Sequence, residues 1–293
     1  METATHNHIQ IMETGWESYI PKELAHCDRR EYNEVCYLIY EWQTGQIDYV
    51  DFRIHAVTKI LKLKKGKRKI NTLEMEFMHA NIFAISELMD SFFTKSKEGM
   101  LIKQNFTHNH NPDVRPLFKK YYGPQSEFSN VTFGQYEDGL NLYHMYAKTK
   151  DEKFLYMLMA TFYLPKKKPY IASKIEKLAE DFALLDFGVV YGFFLFFGSF
   201  QIYLTDSMVT WEGQTIDLSI LYKPTSRKSK VQSDIPGLGI KSLAYQLAES
   251  GVFGDLKTLR TENLWEVLLR LYDLRKRDLD AIAEQDALKN EKP

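Results

Sequence analysis

Cysteine is scarce in this sequence. Its 293 residues include only Cys27 and Cys36, too few for the disulfide framework of a small secreted domain. Apolar residues at helical spacing over 29–42 put Cys36 mid-helix, where we expect a buried thiol. The first residues also lack the basic segment and apolar run of a signal peptide. We therefore predict a reducing compartment and a cytoplasmic location.

Recognisable catalytic and nucleotide-binding motifs are missing. The sequence contains neither Gly-x-Ser-x-Gly nor His-Glu-x-x-His, and no pair of acidic residues stands out as catalytic. Gly237-Leu238-Gly239 precedes a predicted helix but lacks the third glycine and the Lys-Ser/Thr pair of phosphate-binding loops. We therefore expect a non-enzymatic protein without a cofactor. An enzyme of another class is the third interpretation.

Charge of one sign does not dominate. Lys and Arg number 38 and Asp and Glu 39, for a net charge of −1, so the chain does not coat nucleic acid through its overall charge. Basic residues nevertheless cluster at 62–69, 166–168, 227–230 and 275–277. The densest cluster is a basic patch made of Lys62, Lys64, Lys65, Lys67, Arg68 and Lys69. A nucleic-acid-associated protein that uses these runs is the alternative interpretation.

Long uncharged segments are rare, with one exception. Nine of the 22 residues in 182–203 are Phe or Tyr, and 187–205 carries no charge, a length close to that of a membrane-spanning helix. The other predicted helices have charged faces, as soluble helices do. We therefore predict a buried central helix, and a membrane span over 187–205 is the alternative. Gly188 and Gly192 are four residues apart, so we expect another helix to pass close to them.

Amphipathic helices make up most of the remaining sequence. Asp28 and Thr132 are predicted N-caps, each followed three residues later by Glu or Gln in a capping box. Thr72 opens a further helix with apolar residues along it. We predict a mostly α-helical fold, a multi-helix bundle around an aromatic helix at about 182–204, with a small β element around 100–122.

A change of composition divides the chain. Residues 224–236 lack aromatic side chains and are rich in Ser, Lys and Pro, which is typical of an exposed linker. We predict a main helical domain over 16–222, a flexible linker over 223–236 and a C-terminal helical segment over 237–293 with a frayed tail.

The motif Thr-His-Asn-His occurs twice. Histidines two residues apart on an extended segment share a face, so His6, His8, His108 and His110 can converge on a transition metal. Neither copy has a cysteine nearby or a carboxylate at the spacing of a zinc site. We therefore predict no metal site. These four histidines are the candidate ligands if a metal is bound.

Two blocks of the sequence, 128–170 and 237–280, share a pattern of short helices, and the second contains Leu-Trp-Glu-Val-Leu at the start of a charged helix. In this pattern the chain resembles uncharacterised proteins encoded near the tail-assembly genes of tailed phages and prophages, including tail assembly chaperones and accessory proteins. The resemblance implies assembly or scaffolding work, in the host cytoplasm or on the virion. It carries over no functional residue.

The composition and the resemblance favour a non-enzymatic protein–protein interaction or assembly protein. Amphipathic helices, many Tyr and Phe residues and near-zero net charge suit protein–protein contact. We predict that the C-terminal helix docks in the groove of a protein partner, with self-association included. Its predicted anchors are Trp265, Leu268 and Leu271.

Overall fold

The computed structural model describes residues 5–11, 15–63, 72–97, 99–206, 208–211, 213–222 and 240–290. This part of the chain is mostly α-helical, which confirms the predicted fold class. Its helices are α1 (Arg29–Gln43), α2 (Tyr49–Ile60), α3 (Thr72–Ser86), α4 (Phe133–Thr149), α5 (Lys153–Phe162), α6 (Ile175–Phe182), α7 (Phe187–Asp206), α8 (Ile240–Glu249), α9 (Leu256–Leu259) and α10 (Leu264–Asn290).

Small antiparallel hairpins accompany the helices. They are β1 (His6–Ile11) with β2 (Trp16–Pro21), β3 (Phe93–Ser96) with β4 (Gly99–Ile102), β5 (Asp113–Val114) with β6 (Tyr121–Tyr122), and β7 (Met208–Trp211) with β8 (Gln214–Asp217). Strands β4, β5 and β6 lie where the sequence predicts a small β element. The hairpins at either end of the main helical region are additional to that prediction.

Helix α7 forms the centre of the fold. It begins at Phe187 rather than near residue 182, because 183–186 form a turn and the Asp186 carboxylate accepts a hydrogen bond from the Gly188 amide at 2.8 Å. Phe197 and Phe200 are fully buried in it. The prediction of a buried aromatic helix is therefore confirmed, with a later start.

The helix that passes close to α7 is α1 of the same chain. A Cβ atom added at Gly188 would lie 2.1 Å from the backbone oxygen of Asn33, and one at Gly192 would lie 2.7 Å from the Tyr32 ring. The Tyr32 hydroxyl donates a hydrogen bond to the Gly192 carbonyl at 2.6 Å. Glycine at these two positions therefore lets α1 pack directly against the backbone of α7.

The C-terminal residues 240–290 share the core of the main helical region. The Phe133 amide donates to the Glu262 carbonyl, and the Leu264 amide donates to the Val131 carbonyl, each at 2.9 Å. Val267 is buried in the same hydrophobic cluster as the α7 side chains. The predicted linker, 223–236, lies outside the described residues.

Candidate functional site

The three predicted partner anchors on α10 contact their own chain. Trp265 is buried, its indole nitrogen donates to the Glu127 carbonyl at 2.8 Å, and its ring meets the Phe200 ring edge-on. Leu268 and Leu271 are buried in the same core. A partner reaches these side chains only if α10 leaves this packing. Partner binding through them stays a prediction, so exposed helices are the place to look for a contact surface.

A buried ion pair fixes the C-terminal segment on α4. Arg260, after α9, pairs with Glu137 and, at 2.6 Å, with Asp138. The Glu137 side chain is only 3% exposed, so the arginine takes the place of water as the partner of its carboxylate. The Gly134 amide also donates to the Arg260 carbonyl at 2.9 Å. Losing the guanidinium would leave a buried carboxylate unpaired, at a cost of about 3–5 kcal/mol.

The two Thr-His-Asn-His copies lie on different segments of the fold, the first at β1 and the second between β4 and β5. In the second copy, the Nε2 atoms of His108 and His110 are 3.0 Å apart. In the first copy, His6 lies on β1 with its ring 6.4 Å from that of His26. His26 is outside the motif, and the sequence did not single it out. His8 contacts β2. Across the described residues, no three His, Cys, Asp or Glu side chains are placed to hold one metal ion.

The histidine pair of the second copy is part of the packing. Burial, with the neighbouring His108, lowers the pKa of His110 to about 4, and burial also lowers the pKa of His108. The His110 ring lies flat on the Tyr32 ring with centroids 3.9 Å apart, and it meets Phe106 edge-on. Neutral imidazoles in these contacts behave as core aromatic rings at physiological pH.

Two of the four basic runs have a described environment. On α10, Lys276 pairs with Asp280 at 2.6 Å and Arg277 pairs with Asp273 at 2.9 Å, so acidic neighbours on the same helix offset most of the 275–277 run. The run 227–230 lies outside the described residues, as does the 62–69 run except for its first two positions.

Residues Lys166–Lys168 form the other described run. They are exposed beside a cleft of about 330 Å³ that Tyr122 and Asn130 also line. The ammonium of Lys120 lies 4.9 Å from the centre of the Tyr122 ring. Lysines beside an aromatic ring are the groups that hold phosphates and stack on a base. This cleft is therefore the candidate for anion binding.

A larger charged cleft, of about 780 Å³, opens between α1, α2 and the start of α7. Its ionic groups already hold helix ends: Arg30 donates to the carbonyls of Lys59 and Ile60 at 2.9 and 3.1 Å, and Asp186 caps α7. Lys59 lies 2.9 Å from Glu34, and this hydrogen bond raises its pKa. A lysine held as a cation is not a general base. The lining residues therefore do not suggest catalysis.

The two cysteines are structural. Both are free and buried, and burial raises the pKa of Cys27 and of Cys36. The thiolate is the nucleophilic form of cysteine, so neither side chain is reactive at neutral pH.

Helix α3 exposes apolar side chains to solvent. Leu73 and Phe77 are 62% and 64% exposed, and Met75, Met78 and Phe83 are exposed as well. A helix that is apolar on most sides is normally buried, and a contiguous exposed apolar patch marks an interaction site. The sequence predicts this helix but not its exposure, because periodicity does not reveal which element covers a face.

The groove between α5 and α6 is a smaller apolar surface. Phe154, Tyr156 and Met157 of α5 and Ala179 of α6 line a groove of about 540 Å³. Its three larger side chains are half-buried, so the groove exposes less apolar surface than α3 does. Grooves of this kind accept helices from partners.

Helix α7 is the one helix of the described ranges with the length and composition of a membrane span. Within its most apolar window, 67% of the residues are buried inside the protein. The core helix of a soluble protein meets the same two criteria, so this helix is weak support for a membrane span.

Comparisons with known proteins gave no match. No protein-family model matches the chain. Searches of curated proteins and of solved structures also returned no matching protein.

Proposed function

We propose that this chain is a non-enzymatic protein–protein interaction or assembly protein whose contact element is α3. The exposure of Leu73 and Phe77 on a regular helix is the observation that carries this proposal. Covering a side chain of this size is favourable by about 1.5–3 kcal/mol. Burial of these exposed side chains by a partner would therefore favour binding.

Tail assembly in a phage or prophage is the setting we propose, with the protein in the host cytoplasm or on the virion. The support is the resemblance of 128–170 and 237–280 to proteins of tail gene clusters. In the structure these blocks contain α4, α5 and α8–α10, whereas α3 lies outside both. The core blocks would then carry the shared fold, and α3 would carry the contact.

Photo-crosslinking in the producing cell tests the contact element. Benzoylphenylalanine replaces Phe77 in one variant and Phe118 in a matched control, because Phe118 is fully exposed on the loop between β5 and β6. We expect the label at position 77 to capture one defined protein, identified by mass spectrometry. The label at position 118 should capture little. Equal or absent capture at the two positions would contradict an α3 contact.

A polyanion-binding role is the second candidate. The observation that favours it is the exposed lysine run Lys166–Lys168 beside Tyr122. Binding to a single-stranded oligonucleotide should then weaken steeply as salt is added, because phosphate contacts release counterions. Neutralising the three lysines with glutamine should abolish binding. Unchanged binding by that variant would exclude the cleft.

A further inference from the structure

One face of α3 carries an apolar seam that no helix of the described residues covers. Leu73, Phe77, Ala80 and Ala84 follow one another at intervals of four, three and four residues, the a/d spacing of a coiled coil. All four residues are exposed in the structure. We call these four residues the α3 seam.

Other positions around α3 attach it to its own chain. Ile82 and Ile85 are half-buried, and Ile85 packs against the core. The guanidinium of Arg53, on α2, lies 5.6 Å from the centre of the Phe83 ring. These residues occupy different angular positions on the helix from the seam. The chain therefore holds α3 from residue 82 onward, whereas residues 72–81 are exposed around the helix. The seam lies on the side away from the attached residues.

The α3 seam has large side chains in its first half and small ones in its second half. We propose that α3 pairs antiparallel with α3 of a second copy of this chain, about a two-fold axis between residues 78 and 79. In this register Leu73 faces Ala84 of the second copy, and Phe77 faces Ala80. Each large side chain then meets a methyl group, so the seam is complementary to itself, as a two-fold interface requires. The two helix dipoles are then antiparallel, which is the favourable orientation.

This pairing rests on the proposed function, since it names the occupant of the same surface. A stable interface buries about 800 Å² on each partner. One helix of 15 residues with two large exposed anchors supplies only part of that area. We therefore expect a reversible dimer with a micromolar dissociation constant, rather than a permanent one.

Sedimentation equilibrium of the full chain, from low to several hundred micromolar, measures the pairing. Phe77→Glu places a carboxylate in the seam and should weaken the dimer by at least about a hundredfold. Phe118→Glu is the matched control and should leave the dimer unchanged, because position 118 lies on a separate loop. Both variants should keep the parent's circular dichroism spectrum, since both side chains are exposed.

A size exchange along the seam tests the register. Ala84→Leu brings two large side chains together and Leu73→Ala leaves two methyl groups facing each other, so each change should weaken the dimer at least about tenfold. The double variant exchanges the large and small positions and should return to within about threefold of the parent. In a parallel pair residue 73 would face its own counterpart, so the two single effects would add in the double variant without coupling.

Failure of this pairing can be told apart from failure of the proposed function. A chain that stays monomeric at every concentration overturns the pairing. A dimer that Phe77→Glu leaves intact also overturns it and points to another surface, such as the α5–α6 groove. If the double variant fails to recover, the proposed register is overturned. A monomeric chain that still captures a different protein at position 77 keeps the proposed function, whereas absent capture there removes both.

Discussion

Helices α7 and α3 are both rich in apolar residues, yet they occupy opposite environments. Phe197 and Phe200 of α7 are fully buried, whereas Phe77 of α3 is 64% exposed. Gly188 and Gly192 let α1 pack against the α7 backbone, while α3 has no glycine and is attached to the core near its C-terminal end. Apolar composition therefore predicts that a helix will be covered, and in α7 the glycines mark where another helix of the same chain covers it.

The largest expected effect is the loss of an aromatic ring from α7. Phe197→Ala should lower the free energy of unfolding by about 3–5 kcal/mol, because it leaves a cavity in a packed core. The Phe197 ring lies among those of Phe128, Tyr143 and Phe162, with centroids 5.3–5.7 Å away. Urea unfolding measures the change. The same substitution at the fully exposed Phe118 is the control and should change little.

Gly188→Ala is the next largest expected change, since it separates α7 from α1. The added methyl group would meet the Asn33 carbonyl, which is backbone and cannot swing away, so we expect a loss of about 1–3 kcal/mol of stability. At Gly198 the added Cβ would meet only the ends of two side chains, Gln104 and Tyr143, at 3.0 Å. Gly198→Ala should therefore cost less than about 1 kcal/mol, since alanine also favours the helix. Equal urea midpoints for the two variants would contradict the close contact.

Acid should weaken the packing of His110 on Tyr32 of α1. The pKa of His110, about 4, lies below the ordinary 6.5. Between pH 4 and pH 6.5 the unfolded chain therefore binds a proton that the folded chain does not bind. The contribution of neutral His110 to the free energy of unfolding is fully present above pH 6.5 and is lost as the pH falls toward 4. Between about pH 7 and about pH 5 we expect the parent to lose about 1–2 kcal/mol more than His110→Gln. Parallel pH profiles would exclude a buried neutral imidazole.

Features set by residues a few positions apart could be predicted from the sequence. The capping boxes at Asp28 and Thr132 are present in the structure, with both hydrogen bonds of each box formed. The pairing of His108 with His110 is equally local. A cap requires only a side chain three residues from the amide it binds, so the local sequence contains all of its determinants.

Features set by distant residues could not be predicted in this way. Trp265 lies on an apolar stripe that indicates a contact, but its hydrogen-bond partner, Glu127, is 138 residues away in the chain. Periodicity cannot distinguish a stripe that packs on its own chain from one that binds a partner. The exposure of the α3 seam could not be predicted from the sequence for the same reason.

The smallest expected effect is on the stability of α3 itself. Phe77→Ala should change the unfolding free energy of the monomer by no more than about 0.5 kcal/mol, because the ring is mostly in water before and after the change. Urea unfolding at protein concentrations below the dimer range measures it. A loss approaching that of Phe197→Ala would show that Phe77 packs inside its own chain. It would also remove the contrast between α3 and α7, and with it the reason to look for a partner on α3.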